Sequence, residues 1–139
     1  MRHIVLDANV LISFLTDRDE QQQKQAATLF RDAVRGEHIL VLPQVSLLDM
    51  VHVLLKIYHR SRVEEAEMLN RLLAMPGVVT ADEVSWAVIL VLWPNKTSSL
   101  TDAAIAAATR QGRYDAVATF DVPFSKLLRR EGLASYWTS

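Results

Sequence analysis

Four short aliphatic runs recur along the chain, and a stretch of helical pattern follows each one. Ile4–Leu6, His38–Pro43 ("HILVLP"), Val78–Thr80 ("VVT") and Ala116–Phe120 ("AVATF") have the length and composition of buried strands. Short apolar strands alternating with helices imply a parallel sheet with helices on both faces. Helices are expected from Val10, over Asp19–Arg35 with a stripe of Ala26, Ala27, Leu29, Phe30 and Ala33, over Gln44–Tyr58 and over Val63–Met75. Gly36 and Pro76-Gly77 serve as stops. "TADE", Thr80–Glu83, has the spacing of a capping box, so a helix is expected to open there and run through Trp86–Trp93 to Pro94. Leu100–Gly112 reads as an Ala-rich helix with Gly112 just past its end, Phe124–Arg130 as a last helix, and "ASYW" as an edge strand.

The chain has 139 residues with no repeat, low-complexity tract or linker, so a single domain over 1–139 is expected. Half of it is hydrophobic, enough for a sizeable core, and the net charge of −1 gives no global basic field for a polyanion. The absence of cysteine excludes disulfides, thiolate zinc sites and cysteine nucleophiles, and fits a reducing cytoplasm. No secretory pattern opens the chain. The longest apolar run, Trp86–Trp93, is too short to span a bilayer, so no membrane association is expected.

Against this apolar background the acids stand out. Asp7 and Asn9 interrupt "HIVLDANVLISFL", directly after the first strand, and Asp121 follows the last. Asp102 falls in the first turn of the Ala-rich helix, and Asp49 a turn or so into the helix after the second strand. Each has an ordinary reading: Asp7 or Asn9 as a helix cap, Asp102 as a dipole-stabilised first-turn residue, Asp121 as the start of an Asp-x-Pro turn. Asp49 belongs to a polar stripe with His52, Lys56 and His59 that suits either water or the floor of a groove. Jointly they point elsewhere. Sites in open α/β sheets lie beyond the carboxyl ends of the strands. Carboxylates converging there repel unless a hard divalent cation takes them as oxygen ligands. Such a cation suits phosphoryl chemistry.

"LDANVLI" with Asp7 and Asn9, "SLLDMVHVL" with Asp49, "LTDAAIAAA" with Asp102 and "VATFDVPF" with Thr119 and Asp121 occur in the order found in PIN domains. The chain most resembles the small VapC-type toxins of bacterial toxin–antitoxin pairs, and the resemblance covers nearly all of it. It implies an α/β chain with a three-layer α/β/α fold and a central, mainly parallel sheet of four to five short strands. It implies a ribonuclease dependent on Mg²⁺ or Mn²⁺. Asp7, Asp102 and Asp121 become metal ligands, Asn9 and Thr119 their polar support, and Asp49 a fourth catalytic acid. Asp49 departs from the pattern, because the family usually carries Glu there. The shorter side chain is expected to act through water or to bind metal more weakly.

The resemblance also implies an RNA substrate, a homodimer, and a cognate antitoxin whose tail covers the groove. RNA needs cations near the acids, and Lys56, Arg60 and Lys96 are the first candidates, with Lys126, Arg129 and Arg130 after Asp121. Phe14, Trp93 and Trp137 are able to stack on bases but read first as core. The four histidines have no metal spacing among themselves. Two other classes stay open: an inactive PIN-like binding module, and a haloacid-dehalogenase-type phosphatase. The second expects an acid two residues after Asp7, where this chain has Asn9.

Overall fold

The structure, a computed structural model, describes residues 1–137. Thus the last two residues of the expected 1–139 domain lie outside the described residues. The elements run β1 (Arg2–Leu6), α1 (Ala8–Leu15), α2 (Glu20–Val34), β2 (His38–Pro43), α3 (Gln44–Lys56) and α4 (Arg62–Leu73). They continue with β3 (Val78–Ala81), α5 (Trp86–Leu92), α6 (Leu100–Gly112), β4 (Ala116–Ala118) and α7 (Val122–Arg130). The strands form one sheet in the order β3-β2-β1-β4, and every pairing is parallel. The expected edge strand at "ASYW" contributes one parallel bridge, Ser135 to Val117.

Alternation along each strand divides the core. Ile4, Leu6, Leu40, Leu42 and Ala118 join residues of α1, α2, α3 and α4 in one cluster. Val5, Val41 and Val117 join residues of α5, α6 and α7 in the other. The sheet is therefore the middle of three layers, and its central strands are apolar on both faces, as a buried parallel sheet requires. Among the described residues no helix is long and apolar enough to cross a membrane.

Three local expectations are corrected. The "TADE" capping box does not form: Thr80 is in β3, paired opposite Leu42, its hydroxyl donates to Asp82 at 3.0 Å, and α5 begins only after Ser85. The capping box of this chain is at Ser61 and Glu64, opening α4. Gly112 ends α6 from inside, and the left-handed position past it is Arg113, at φ 54°. A Cβ on residue 112 would collide with the Tyr114 ring, so packing rather than turn geometry explains that glycine. Ala27 is exposed, leaving Ala26, Leu29, Phe30 and Ala33 as the buried stripe of α2.

Glu65 in the first turn of α4 is anomalous. It is 2% exposed, and neither carboxylate oxygen has a hydrogen-bond partner among the described residues. Burial raises its pKa above the ordinary 4.5; the Arg60 charge opposes the rise and Glu64 adds to it. A raised folded-state value favours the native state below the unfolded pKa, and that advantage is lost as pH rises through the folded value. Glu65→Met is expected to stabilise the fold at pH 7 by about 1–3 kcal/mol, the usual cost of a buried unpaired group. The gain is expected to shrink towards pH 4. Urea melts at the two pH values test this, and a lower stability of the variant at pH 7 contradicts it.

Candidate active site

The floor of the site is the carboxyl edge of β1 and β4. Leu6 pairs with Ala118, so the next residues, Asp7 and Thr119, leave the sheet side by side. The Asp7 N–H still reaches the Ala118 carbonyl at 3.0 Å. Because β4 ends at Ala118, earlier than expected, Thr119 is free to turn its hydroxyl sideways. That hydroxyl donates to Asp7 Oδ2 at 2.8 Å, and accepts the Asp121 N–H at 3.0 Å and Asn9 Nδ2 at 3.3 Å. One donor and two lone pairs are all a hydroxyl has, and Thr119 uses them all. Asn9 Oδ1 accepts the Phe120 N–H at 3.2 Å, which closes the network between the two loops.

The capping and site readings of the acids coexist. Asp7 is the N-cap of α1, its Oδ1 accepting the Ala8 N–H at 2.7 Å. Asp121 is the N-cap of α7, its Oδ1 accepting the Phe124 N–H at 3.1 Å. Asp102 sits in the first turn of α6, with its own N–H bound to the cap Ser99 at 3.1 Å. Asp49 is exposed on α3. A rigid cap fixes the carboxylate's position and leaves lone pairs over.

These carboxylates share one field. The pKa of Asp102 is pushed up to about 6, first by burial, then by the charges of Asp7 and Asp121, with a Ser99 hydrogen bond opposing and Asp49 adding a smaller push. Asp7 is 7% exposed, and burial raises it too. The bonds from Thr119 and Ala8 oppose that rise, and Asp121 and Asp49 add to it. Every ion pair among the described residues involves Glu20, Glu67 or Glu131, so none of these four aspartates is neutralised by Lys or Arg. Among the described residues no three of His, Asp or Glu are placed close enough together to hold a metal ion as they stand. In chemistry the set is all-oxygen and anionic, the kind of donor that a hard divalent cation keeping several waters takes.

The expected cations are placed unevenly. Lys96 borders the cavity beside Asp102 and lies 3.8 Å from Glu131. Lys56 is exposed in the last turn of α3, roughly 10 Å further along the axis than Asp49 at about 1.5 Å per residue. Arg60 is engaged elsewhere: its guanidinium donates to the Leu15 carbonyl at 2.7 Å. The aromatics pair with one another, Phe14 on Phe30 and Phe120 on Trp137, with centroids 4.1 and 4.6 Å apart. Sequence reasoning missed Ser99, although "SLTD" carries the Ser-x-x-Asp capping signal. It also missed Arg18, whose guanidinium donates to the Asn9 carbonyl at 2.9 Å, a side-chain contact to the backbone with no spacing signature.

The PIN domain family matches residues 4–128, a span that includes all four aspartates. The VapC20 toxin of Mycobacterium tuberculosis, described as cleaving the sarcin-ricin loop, is similar in fold. Its TM-score is 0.63 at 20% identity, covering 88% of this chain and 93% of that one. VapBC2 of Rickettsia felis, bound to a DNA fragment from their promoter, gives a TM-score of 0.65 at 11% identity, covering 98% and 99%. No curated protein matches the chain.

Raised values at Asp7 and Asp102 mean that the metal-free native state holds protons that the unfolded chain releases. The cluster's contribution therefore favours folding below about pH 4 and turns unfavourable as pH rises through about 6. Asp102→Asn is expected to melt above wild type at pH 7 in chelator. Mn²⁺ is expected to reverse the order, stabilising wild type by about 2.7 kcal/mol at a hundredfold excess over its dissociation constant. Melts without metal dependence, with the variant simply destabilised, would reduce Asp102 to a helix-terminus residue.

Proposed function

The chain belongs to the PIN domain family, and from that premise we propose that it is an endoribonuclease dependent on Mg²⁺ or Mn²⁺. We assign it as the VapC-type toxin of a type II toxin–antitoxin pair, acting in the cytoplasm as a single domain over 1–139. One observation supports the reading: the charges of Asp7, Asp121 and Asp49 all act on Asp102, and no ion pair among the described residues neutralises any of the four.

Asp7, Asp102 and Asp121 would hold the ion, and Asp49 at the rim would bind it through water or directly. When bound, a divalent cation supplies polarisation of a phosphoryl oxygen and a more acidic water. The remaining work belongs to the chain. The Thr119 hydroxyl holds one oxygen of Asp7 and the Ala8 N–H the other, fixing the plane of that carboxylate. Asn9 ties the β4–α7 loop to α1, so Asp121 keeps its distance from Asp7. Asp102 must lose its proton to ligate, so metal affinity is expected to weaken below about pH 6.

An antitoxin and a second copy of the chain are the proposed partners. Trp86, Leu90 and Val91 on α5 and Leu48 on α3 are more than half exposed, while Ile89 and Leu92 of α5 are buried. The α5 helix therefore serves the core with one face and leaves the other apolar and uncovered, which supports an interface. An inactive binding module is the second reading, favoured by one feature: Asp49 is both shorter than the usual glutamate and exposed.

Purified protein incubated with total RNA and Mn²⁺, followed by end-mapping, separates the two. Wild type is expected to cleave, and Asp7→Asn to abolish cleavage without a change in circular dichroism. Thr119→Val is expected to lose roughly 10–100-fold, as supporting residues of metal sites do. Asp49→Glu is expected to match or exceed wild type. No cleavage by wild type, or full activity in Asp7→Asn, would sink the nuclease assignment.

A further inference from the structure

A polar cavity of about 280 Å³ opens between the starts of α6 and α7. Its walls carry Lys96, Thr97, Ser98, Ser99 and Arg130, and it shares Asp102 with the acidic cluster. We propose that this cavity is a subsite for a backbone phosphate of the RNA strand, next to the scissile one, with Lys96 and Arg130 as its two cations. The inference rests on the nuclease reading and adds the path by which the strand leaves the acidic cluster.

The cations are available to a ligand. Lys96 Nζ is 3.8 Å from Glu131, at the outer limit of an ion pair. Glu131 is shared: Arg110 lies 3.7 Å from its other oxygen and also donates to its backbone carbonyl at 2.8 Å. Arg130 has no ion pair among the described residues and is exposed. Thr97 Oγ1 accepts the Ser99 N–H at 3.2 Å, which leaves the hydroxyl proton free to donate. An ammonium, a guanidinium and a free hydroxyl lining one cavity suit phosphate oxygens.

The alternative exit is less suited to an anion. A cavity of about 300 Å³ lies between α3, α5 and α6, lined by Val45, Trp86, Ile89 and Leu100 among others. It carries Asp82 and no cation, so of these two cavities the one at Lys96 is the one that attracts a polyanion. Its volume, just under the roughly 300–1,000 Å³ typical of ligand pockets, is enough for one phosphate with its sugar. Contacts to phosphate carry no sequence information, so the subsite is expected to act equally on any sequence.

The test is equilibrium binding of two unrelated single-stranded 12-mer RNAs by fluorescence anisotropy, with Ca²⁺ to neutralise the carboxylates, over a salt series. Wild type is compared with Lys96→Ala/Arg130→Ala and with the charge-preserving Lys96→Arg/Arg130→Lys. Removing the two cations of this one phosphate subsite is expected to reduce the slope of log K against log salt by about 0.7, the value for one neutralised phosphate on a single strand. The loss is expected to be equal for the two RNAs, and the charge-preserving variant to recover the wild-type slope. Thermal melts check that all three proteins fold; both side chains are exposed, so they are expected to. A double variant with the wild-type slope overturns the subsite and leaves the nuclease reading standing. A wild type that binds neither RNA overturns both, and a loss confined to one RNA overturns the phosphate assignment in favour of base contact.

Discussion

Leu6 stands opposite Ala118 in the parallel pairing of β1 with β4, and the geometry of the site depends on that register. It is why Asp7 and Thr119 emerge together, and why a single hydroxyl can join Asp7, Asn9 and Asp121. Slipping the pair by one residue would also turn Ile4 and Leu6 from one core layer to the other, so the hydrophobic pattern locks the register. The apolar layers and the polar site are thus one constraint: the alternation that fills two cores also fixes where the first carboxylate leaves the sheet.

That placement has an energetic cost. Asp7 is a nearly buried carboxylate, and its neighbours include further acids rather than a lysine or arginine. The Ala8 N–H at the start of α1 and the Thr119 hydroxyl offset part of the penalty. At Asp102 burial first, and then repulsion from Asp7 and Asp121, holds a proton up to about pH 6. On the proposed reading a divalent cation would offset this cost, which would link stability and ligand affinity through the same four side chains.

Much of this was legible in the sequence. The strands were, because apolar runs of β-branched residues have few other fates in a chain of this size. So were the positions of Asp7 and Asp121, since an acid directly after such a run must lie at the strand's carboxyl edge. Local signals failed where a long-range contact competed. "TADE" has capping spacing, but pairing of Thr80 with Leu42 holds it in β3. Gly112 looked like a helix stop, and the reason for it is the Tyr114 ring. Arg60 looked like a free cation near the groove, and the Leu15 carbonyl takes it, 45 residues away in sequence. No spacing rule reports a side chain that bonds a distant backbone carbonyl.

Proton release on metal binding tests the central claim, that these aspartates form one charged cluster made to hold a divalent cation. Mn²⁺ is titrated calorimetrically into the protein at pH 6 and at pH 8, each in two buffers of different ionisation enthalpy, to count protons released per ion bound. With Asp102 titrating at about 6 and Asp7 raised beside it, binding is expected to release a substantial fraction of a proton or more at pH 6 and close to none at pH 8. Binding that releases the same number at both values, or no saturable binding at either, would contradict the account.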